Sequence, residues 1–146
     1  ELQSLLLNSL YVLSELKLPL AQVKAVFELR SACIAGFTPD LYGCHVCGSQ
    51  MPTRFDLSSG LLECAACRDT ASAGIRLPIS PAMLEAMRFI CFCVPKKLFS
   101  FRLDDGALEQ LAALTEGFLT TQLERGFPAL DFYKSLCLRA DTPGAT

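Results

Sequence analysis

The sequence predicts a mainly α protein, a helical bundle interrupted by a small β-containing four-cysteine module, and three observations carry that expectation. Leucines recur at three- and four-residue intervals from the first residues onward, which is the signature of amphipathic helices. Two Cys-x-x-Cys pairs stand sixteen residues apart in a stretch poor in large apolar side chains. Across all 146 residues hydrophobic side chains make up 51% and charged ones 19%, enough apolar surface to close a core and too much for a disordered chain.

Leu2, Leu5, Leu6, Leu10, Leu13 and Leu16 predict a first helix of about four turns. Pro19 restarts the chain, and Leu20, Val23, Phe27 and Ile34 predict a second helix, with Lys24, Glu28 and Ser31 on its other faces and Gly36 as its C-terminal cap. The stretch from Phe37 to Gly43, with Pro39 and Asp40, reads as an irregular lead into the first cysteine pair. Beyond the second pair, 68–74 reads as a polar loop. Ser80 followed by Pro81 predicts an N-cap and first helical position, opening a helix through Leu84, Met87 and Ile90 to about Val94. After Pro95, Lys96 and Lys97, the alternation of Phe99, Phe101 and Leu103 predicts a short extended piece. Asp104 and Asp105 then cap a helix carrying Leu108, Leu111, Leu114, Phe118 and Leu123, closed by Gly126. Leu130, Tyr133, Leu136 and Cys137 predict a last helix packed on the bundle. The Leu stripes read as core.

The expected organisation is therefore a helical bundle from 1–43 and 75–140, an inserted metal module over 44–74, and a flexible tail over 141–146, small and polar with Pro143 and Gly144. The opening at Glu1, inside a helix and without Met, reads as part of a longer protein. Every Leu-rich segment is punctuated by Lys, Glu, Gln, Ser or Pro, so no membrane-spanning run is expected. Thirteen basic and fifteen acidic residues leave a net charge of −2, which excludes binding to a polyanion through bulk charge alone.

Eight cysteines occur, and four of them, Cys44, Cys47, Cys64 and Cys67, carry the chemistry. Tight Cys-x-x-Cys turns let two sulfurs converge on one cation, and two such turns facing each other complete a tetrahedron with Zn–S of ~2.3 Å. Gly48 and Gly60 supply residues free to take positive φ beside the first pair and in a turn with Ser58 and Ser59. A structural Zn2+ is the favoured reading because so small an insert needs a staple. Paired disulfides, a redox dithiol and a rubredoxin-like iron site are the alternatives. Four thiolates close the metal's shell, which disfavours a catalytic ion. His45 reads as a neighbour of the site rather than a ligand or base, and Cys33, Cys91, Cys93 and Cys137 as small buried hydrophobes. No phosphate loop, nucleophile elbow or paired-acid arrangement is present, so no catalytic residues are predicted.

Taken in order, Phe27-Glu28-Leu29-Arg30, Gly36-x-x-Pro39-x-Leu41, Cys44-x-x-Cys47-Gly48, Phe55-Asp56 and Gly60-x-Leu62-x-Cys64-x-x-Cys67 resemble the central stretch of the RecO family of bacterial DNA repair proteins, in its C-terminal helical and zinc-binding region. The later Leu123-Glu124-Arg125-Gly126-Phe127-x-x-Leu130-Asp131-Phe132-Tyr133 resembles that family's terminal helix region. The resemblance covers about residues 1–138. It implies a non-enzymatic recombination mediator that binds DNA, associates with RecR, engages the C-terminal tail of the single-stranded-DNA-binding protein, anneals strands and helps RecA loading, in the bacterial cytoplasm at the nucleoid. It also implies an N-terminal oligonucleotide-binding barrel, which this sequence lacks and through which most DNA contact would run. An acidic tail would need an apolar slot beside a cation, for which Arg30, Arg88, Lys96, Lys97, Arg102 and Arg125 are candidates. Arg54 and Arg68, flanking the cysteine turns, are expected to offset the charge of a four-thiolate centre. A generic zinc-ribbon adaptor and a thiol oxidoreductase are the competing functions.

Overall fold

The computed structural model describes residues 1–67, 74–124 and 128–140. Five helices and three short strands follow one another as α1 (Leu2–Ser14), α2 (Leu20–Ile34), β1 (Arg54–Asp56), β2 (Leu62–Glu63), β3 (Arg76–Pro78), α3 (Pro81–Phe92), α4 (Asp105–Gln122) and α5 (Pro128–Ala140), with a 3₁₀ turn at Pro95–Lys97. The protein is thus mainly helical, with a small antiparallel sheet in the order β2-β1-β3. Among the described residues no helix is long and apolar enough to cross a membrane. The expected tail at 141–146, the loop residues 68–73, Arg125 and the Gly126 helix stop lie outside the described residues.

Local chemistry sets the helix ends much as the sequence predicts. Ser80 Oγ accepts from the Met83 amide at 3.2 Å, and Asp104 Oδ1 accepts from the Ala107 amide at 2.9 Å, each satisfying a first-turn N–H that has no partner within the helix. Gly36, Gly48 and Gly60 all have positive φ. α4 ends at Gln122, and Glu124 rather than a glycine turns the chain with φ of 51°.

The core forms around α2, which packs most extensively on α4 and is flanked by α1 and α3. α2 buries residues on every side: Val23, Ala25, Val26, Leu29 and Ala32, but also Gln22 and Glu28. Two expectations need correction here. Glu28, expected on a face away from the apolar stripe, is buried; its carboxylate pairs with Lys24 at 2.8 Å and accepts from Thr115 Oγ1 at 3.0 Å. The piece around Phe99 and Phe101 forms no strand, because the Gln22 side-chain amide donates to both of their carbonyls at 3.1 and 3.0 Å and takes the place of a neighbouring strand.

The Leu stripe of α1 is the third correction. Leu5 and Val12 are buried, but Leu2, Leu6, Leu7, Leu10 and Tyr11 are exposed, with Leu10 at 54%. α1 lies against one face of α2 only, so a helix apolar on most sides buries a single narrow stripe. Leu136, expected to pack α5 onto the bundle, is likewise 47% exposed. Lys134 of α5 pairs with Glu116, which also pairs with Lys24 at 2.8 Å.

The sheet does not stand apart from this core. Phe55 and Leu62 are fully buried, in one hydrophobic cluster with Leu29, Leu111, Leu114 and Phe118. Phe55 meets the Phe118 ring edge-on, with centroids 5.4 Å apart and planes at 69°. Gly117 lets Leu57 pack against α4: a Cβ there would meet Leu57 Cδ1 at 2.9 Å. The Gln122 side chain donates to the Leu57 and Ser58 carbonyls at 2.9 and 3.0 Å, fastening the end of α4 to the β1–β2 turn.

Candidate metal centre

The register of the sheet assembles the cysteine site. Phe55 pairs with Leu62 across β1 and β2, and a further bridge joins Cys44 to Leu62, so the two Cys-x-x-Cys turns are drawn to the same end of the sheet. The Cys44 amide donates to the Ser49 carbonyl at 2.8 Å and the Gly48 amide returns to the Cys44 carbonyl at 2.8 Å, closing the first turn. Gly48, with φ of 73°, turns the backbone where an L side chain would be strained. The second turn is closed by the Cys67 amide on the Cys64 carbonyl at 3.3 Å.

All four Sγ atoms of Cys44, Cys47, Cys64 and Cys67 lie within 4.8 Å of one another, a group that could hold a metal ion. Cys47 and Cys64 are 3.8 Å apart, which is about the edge of a tetrahedron whose centre is ~2.3 Å from each sulfur. Among the described residues this is the one such cluster of His, Cys, Asp and Glu. Cys44 is buried, Cys64 and Cys67 half-buried, and Cys47 exposed. Burial works against a thiolate at Cys44, yet the backbone amides of Cys47, Val46 and Cys64 outweigh it and hold this thiol at about 6; the Cys64 amide lies 3.4 Å from its sulfur. Cys67 is pushed up to about 12, first by the hydrogen bond it shares with Cys47 and then by burial. The donor set is soft, four-fold and closed, which suits a structural ion.

His45 stays outside the sulfur cluster: its amide and Nδ1 both face the Leu62 carbonyl, at 2.9 and 3.0 Å, and the side chain is exposed. Arg54 lies in β1 opposite Glu63, while Arg68 is outside the described residues. The charge beneath the site belongs to a residue the sequence reading passed over. Arg76 Nε meets Glu63 Oε2 at 2.8 Å and Asp56 Oδ2 at 3.7 Å, with all three side chains largely buried. Asp56 also accepts from the Ser58 and Ser59 amides at 2.8 and 3.1 Å and so shapes the turn before Gly60. No local pattern announces Arg76. The Lys24–Glu28 pair, by contrast, carried an i,i+4 signal in the sequence.

The candidate cations separate into two sets. Arg30 donates to the carbonyls of Ile90 and Cys91, the last turn of α3, and Arg88 donates to the Leu41 carbonyl at 2.8 Å while pairing with Glu85. Both are occupied in holding elements together. Lys96 and Arg102 instead line a groove of about 480 Å³ with Tyr11, Leu16 and Phe99, between α1 and the segment before α4. Lys97 lies beside Lys96 in the 3₁₀ turn.

Comparison with known proteins places these features in a family. The model of the recombination protein O C-terminal region matches residues 1–131. The chain is 32% identical over 141 residues to the DNA repair protein RecO of Acetivibrio thermocellus, covering 92% of this chain and 54% of that protein. It is 28% identical over 132 residues to the RecO protein of Caldicellulosiruptor saccharolyticus, covering 89% and 52%. A further relative, from Desulforudis audaxviator, is 28% identical over 112 residues. The chain spans about half the length of these relatives.

Proposed function

Since the chain belongs to the RecO family, matching its C-terminal region over residues 1–131, we propose that it serves DNA repair as the helical part of a recombination mediator. In this reading the whole protein binds DNA chiefly through an N-terminal barrel, associates with RecR, engages the acidic C-terminal tail of the single-stranded-DNA-binding protein and promotes annealing and RecA loading at the bacterial nucleoid. None of these tasks needs a nucleophile or a general base. Annealing asks for neutralised phosphates and accessible bases, and partner exchange asks for shaped surfaces.

The same proposal assigns Cys44, Cys47, Cys64 and Cys67 as ligands of a structural Zn2+. The ion would staple together an insert over 44–74 that is carried by the helical scaffold of 1–43 and 75–140. When bound it supplies a cross-link between the two turns and no reactive position. What supports this role is the closed four-sulfur donor set on a sheet whose other end is built into the helical core. An iron centre would show in the visible spectrum and in elemental analysis, and a metal-free protein cycling a dithiol would favour the oxidoreductase alternative.

The groove lined by Tyr11, Leu16, Lys96, Phe99 and Arg102 supports the tail-binding part, because it sets cations beside an apolar slot, as groove binding of an acidic peptide needs. The test is fluorescence anisotropy with a labelled tail peptide of the single-stranded-DNA-binding protein, on the full-length protein. Arg102→Glu and Lys96→Glu are expected to weaken binding at least about tenfold, roughly the 1.4 kcal/mol of one charge contact at such a surface. Absence of both peptide binding and RecR binding by folded full-length protein would favour the zinc-ribbon adaptor.

A further inference from the structure

Outside the metal centre, the fold brings together two cysteines that the sequence keeps 58 residues apart. Cys33, near the end of α2, and Cys91, near the end of α3, have their sulfurs 3.6 Å apart, in van der Waals contact and sharing a hydrogen bond. We propose that Cys33 and Cys91 form a hydroperoxide-oxidisable dithiol that closes to a disulfide joining α2 to α3.

The surroundings favour this chemistry over a second metal site or inert packing. Cys33 is half-buried and so open to a small oxidant, whereas Cys91 is buried directly behind it. Arg30, one turn before Cys33, donates to the Ile90 and Cys91 carbonyls at 3.1 and 2.5 Å, which places a guanidinium beside both thiols and fixes the two helix ends against each other. The hydrogen bond with Cys91 is the largest influence lowering the Cys33 thiol, to about 7, with burial opposing and Arg30 adding a smaller attraction; the same bond and burial push Cys91 up. The pair is thus divided into an attacking sulfur and a resolving one. The neighbouring Cys93 does not join them in a group dense enough to hold an ion.

The reaction balances with one hydroperoxide. The Cys33 thiolate attacks the peroxide O–O bond, leaving Cys33 as a sulfenic acid and releasing water when the peroxide is H2O2. The Cys91 sulfur then attacks the sulfenic sulfur, the S–S bond forms, and the sulfenic oxygen leaves with two protons as a second water. Two thiols are oxidised and one peroxide is reduced. The sulfurs need to approach by only ~1.5 Å to reach the ~2.05 Å of a disulfide, within reach of side-chain rotation.

The test treats the full metal-loaded chain with equimolar H2O2, alkylates the remaining thiols and maps peptides by mass spectrometry. The expected product is a Cys33–Cys91 cross-linked peptide two hydrogens lighter than its parts, formed equally in Cys93→Ser. The thermal midpoint should rise by about 5 °C, reversed by dithiothreitol, since the bond closes a long loop. Recovery of both residues alkylated, or pairing of Cys33 with Cys93 in the wild type, overturns the proposal. So does a Cys91→Ala protein in which dimedone traps no sulfenic acid at Cys33.

Discussion

The two ends of the small sheet differ in what holds them. At one end Phe55 and Leu62 are fully buried against Phe118, in the same cluster as the helices. At the other end Cys44 is buried, Cys64 and Cys67 are half-buried and Cys47 is exposed, with Val46 and Met51 uncovered beside them. One end obtains its order from apolar burial and the other from convergent sulfurs, although fewer than ten residues separate Phe55 from Cys64. An insert poor in apolar residues can therefore still be anchored firmly when Phe55, Leu57 and Leu62 are all buried at the core end.

That contrast is open to direct attack. Withdrawing the metal with a strong chelator is expected to have the largest effect, because structural zinc contributes an apparent ~10–16 kcal/mol in small domains. Amides of the cysteine turns should lose hydrogen-exchange protection while those of α2 and α4 keep it; loss of protection throughout α2 would show that the two ends form one cooperative unit. Phe55→Ala should cost about 3–5 kcal/mol in urea unfolding and leave metal content unchanged. Arg76→Met belongs in the same range, about 3–5 kcal/mol, since it leaves the buried Glu63 carboxylate, 3% exposed, without its cation.

A smaller effect tests the core side by pH. Burial disfavours the Glu116 charge, but Lys134 and Lys24 outweigh it and hold its carboxyl below the usual value near 4.5, so its stabilisation is present above that value and is lost as pH falls through the lower folded value. Glu28 is shifted the other way, raised chiefly by burial despite Lys24, so it binds its proton more tightly when folded and favours folding at low pH, an advantage lost as pH rises through its folded value. The two slopes oppose each other on the core side. Glu28→Gln should steepen the rise of stability with pH across the carboxylate range, and Glu116→Gln should flatten it, in urea midpoints taken at a series of pH values. The smallest expected change is in Cys93→Ser, about 0.5 kcal/mol, beside Cys44→Ser, whose thermal midpoint should fall towards that of the chelated protein.

Much of the fold was legible residue by residue. Ser80, Asp104 and Gly36 act at helix ends as their chemistry dictates, and Gly48 and Gly60 turn the chain where expected. The four-sulfur group was legible too, because two short turns fix the spacing within each pair. The apolar pattern misled in two places. α1, rich in leucine, is largely uncovered, whereas α2, with Gln22, Lys24 and Glu28 in it, is enclosed on every side. Leucine spacing tells which residues share a face of a helix, not whether anything packs on that face. The burial of Gln22 and Glu28 was not legible because their partners, the Phe99 and Phe101 carbonyls and Thr115, lie 77 or more residues away.

The sequence by itself determined the helix starts at Ser80 and Asp104, the paired cysteine turns and the absence of net charge strong enough to hold a polyanion, since each depends on residues a few positions apart or on composition. Tertiary structure decided which apolar faces were covered, that Arg76 would neutralise Glu63 beneath the cysteine site, that Lys96 and Arg102 would share a groove, and that Cys33 would touch Cys91. These contacts span long stretches of chain, and their energy depends on desolvation and proximity, which exist only once the helices have packed.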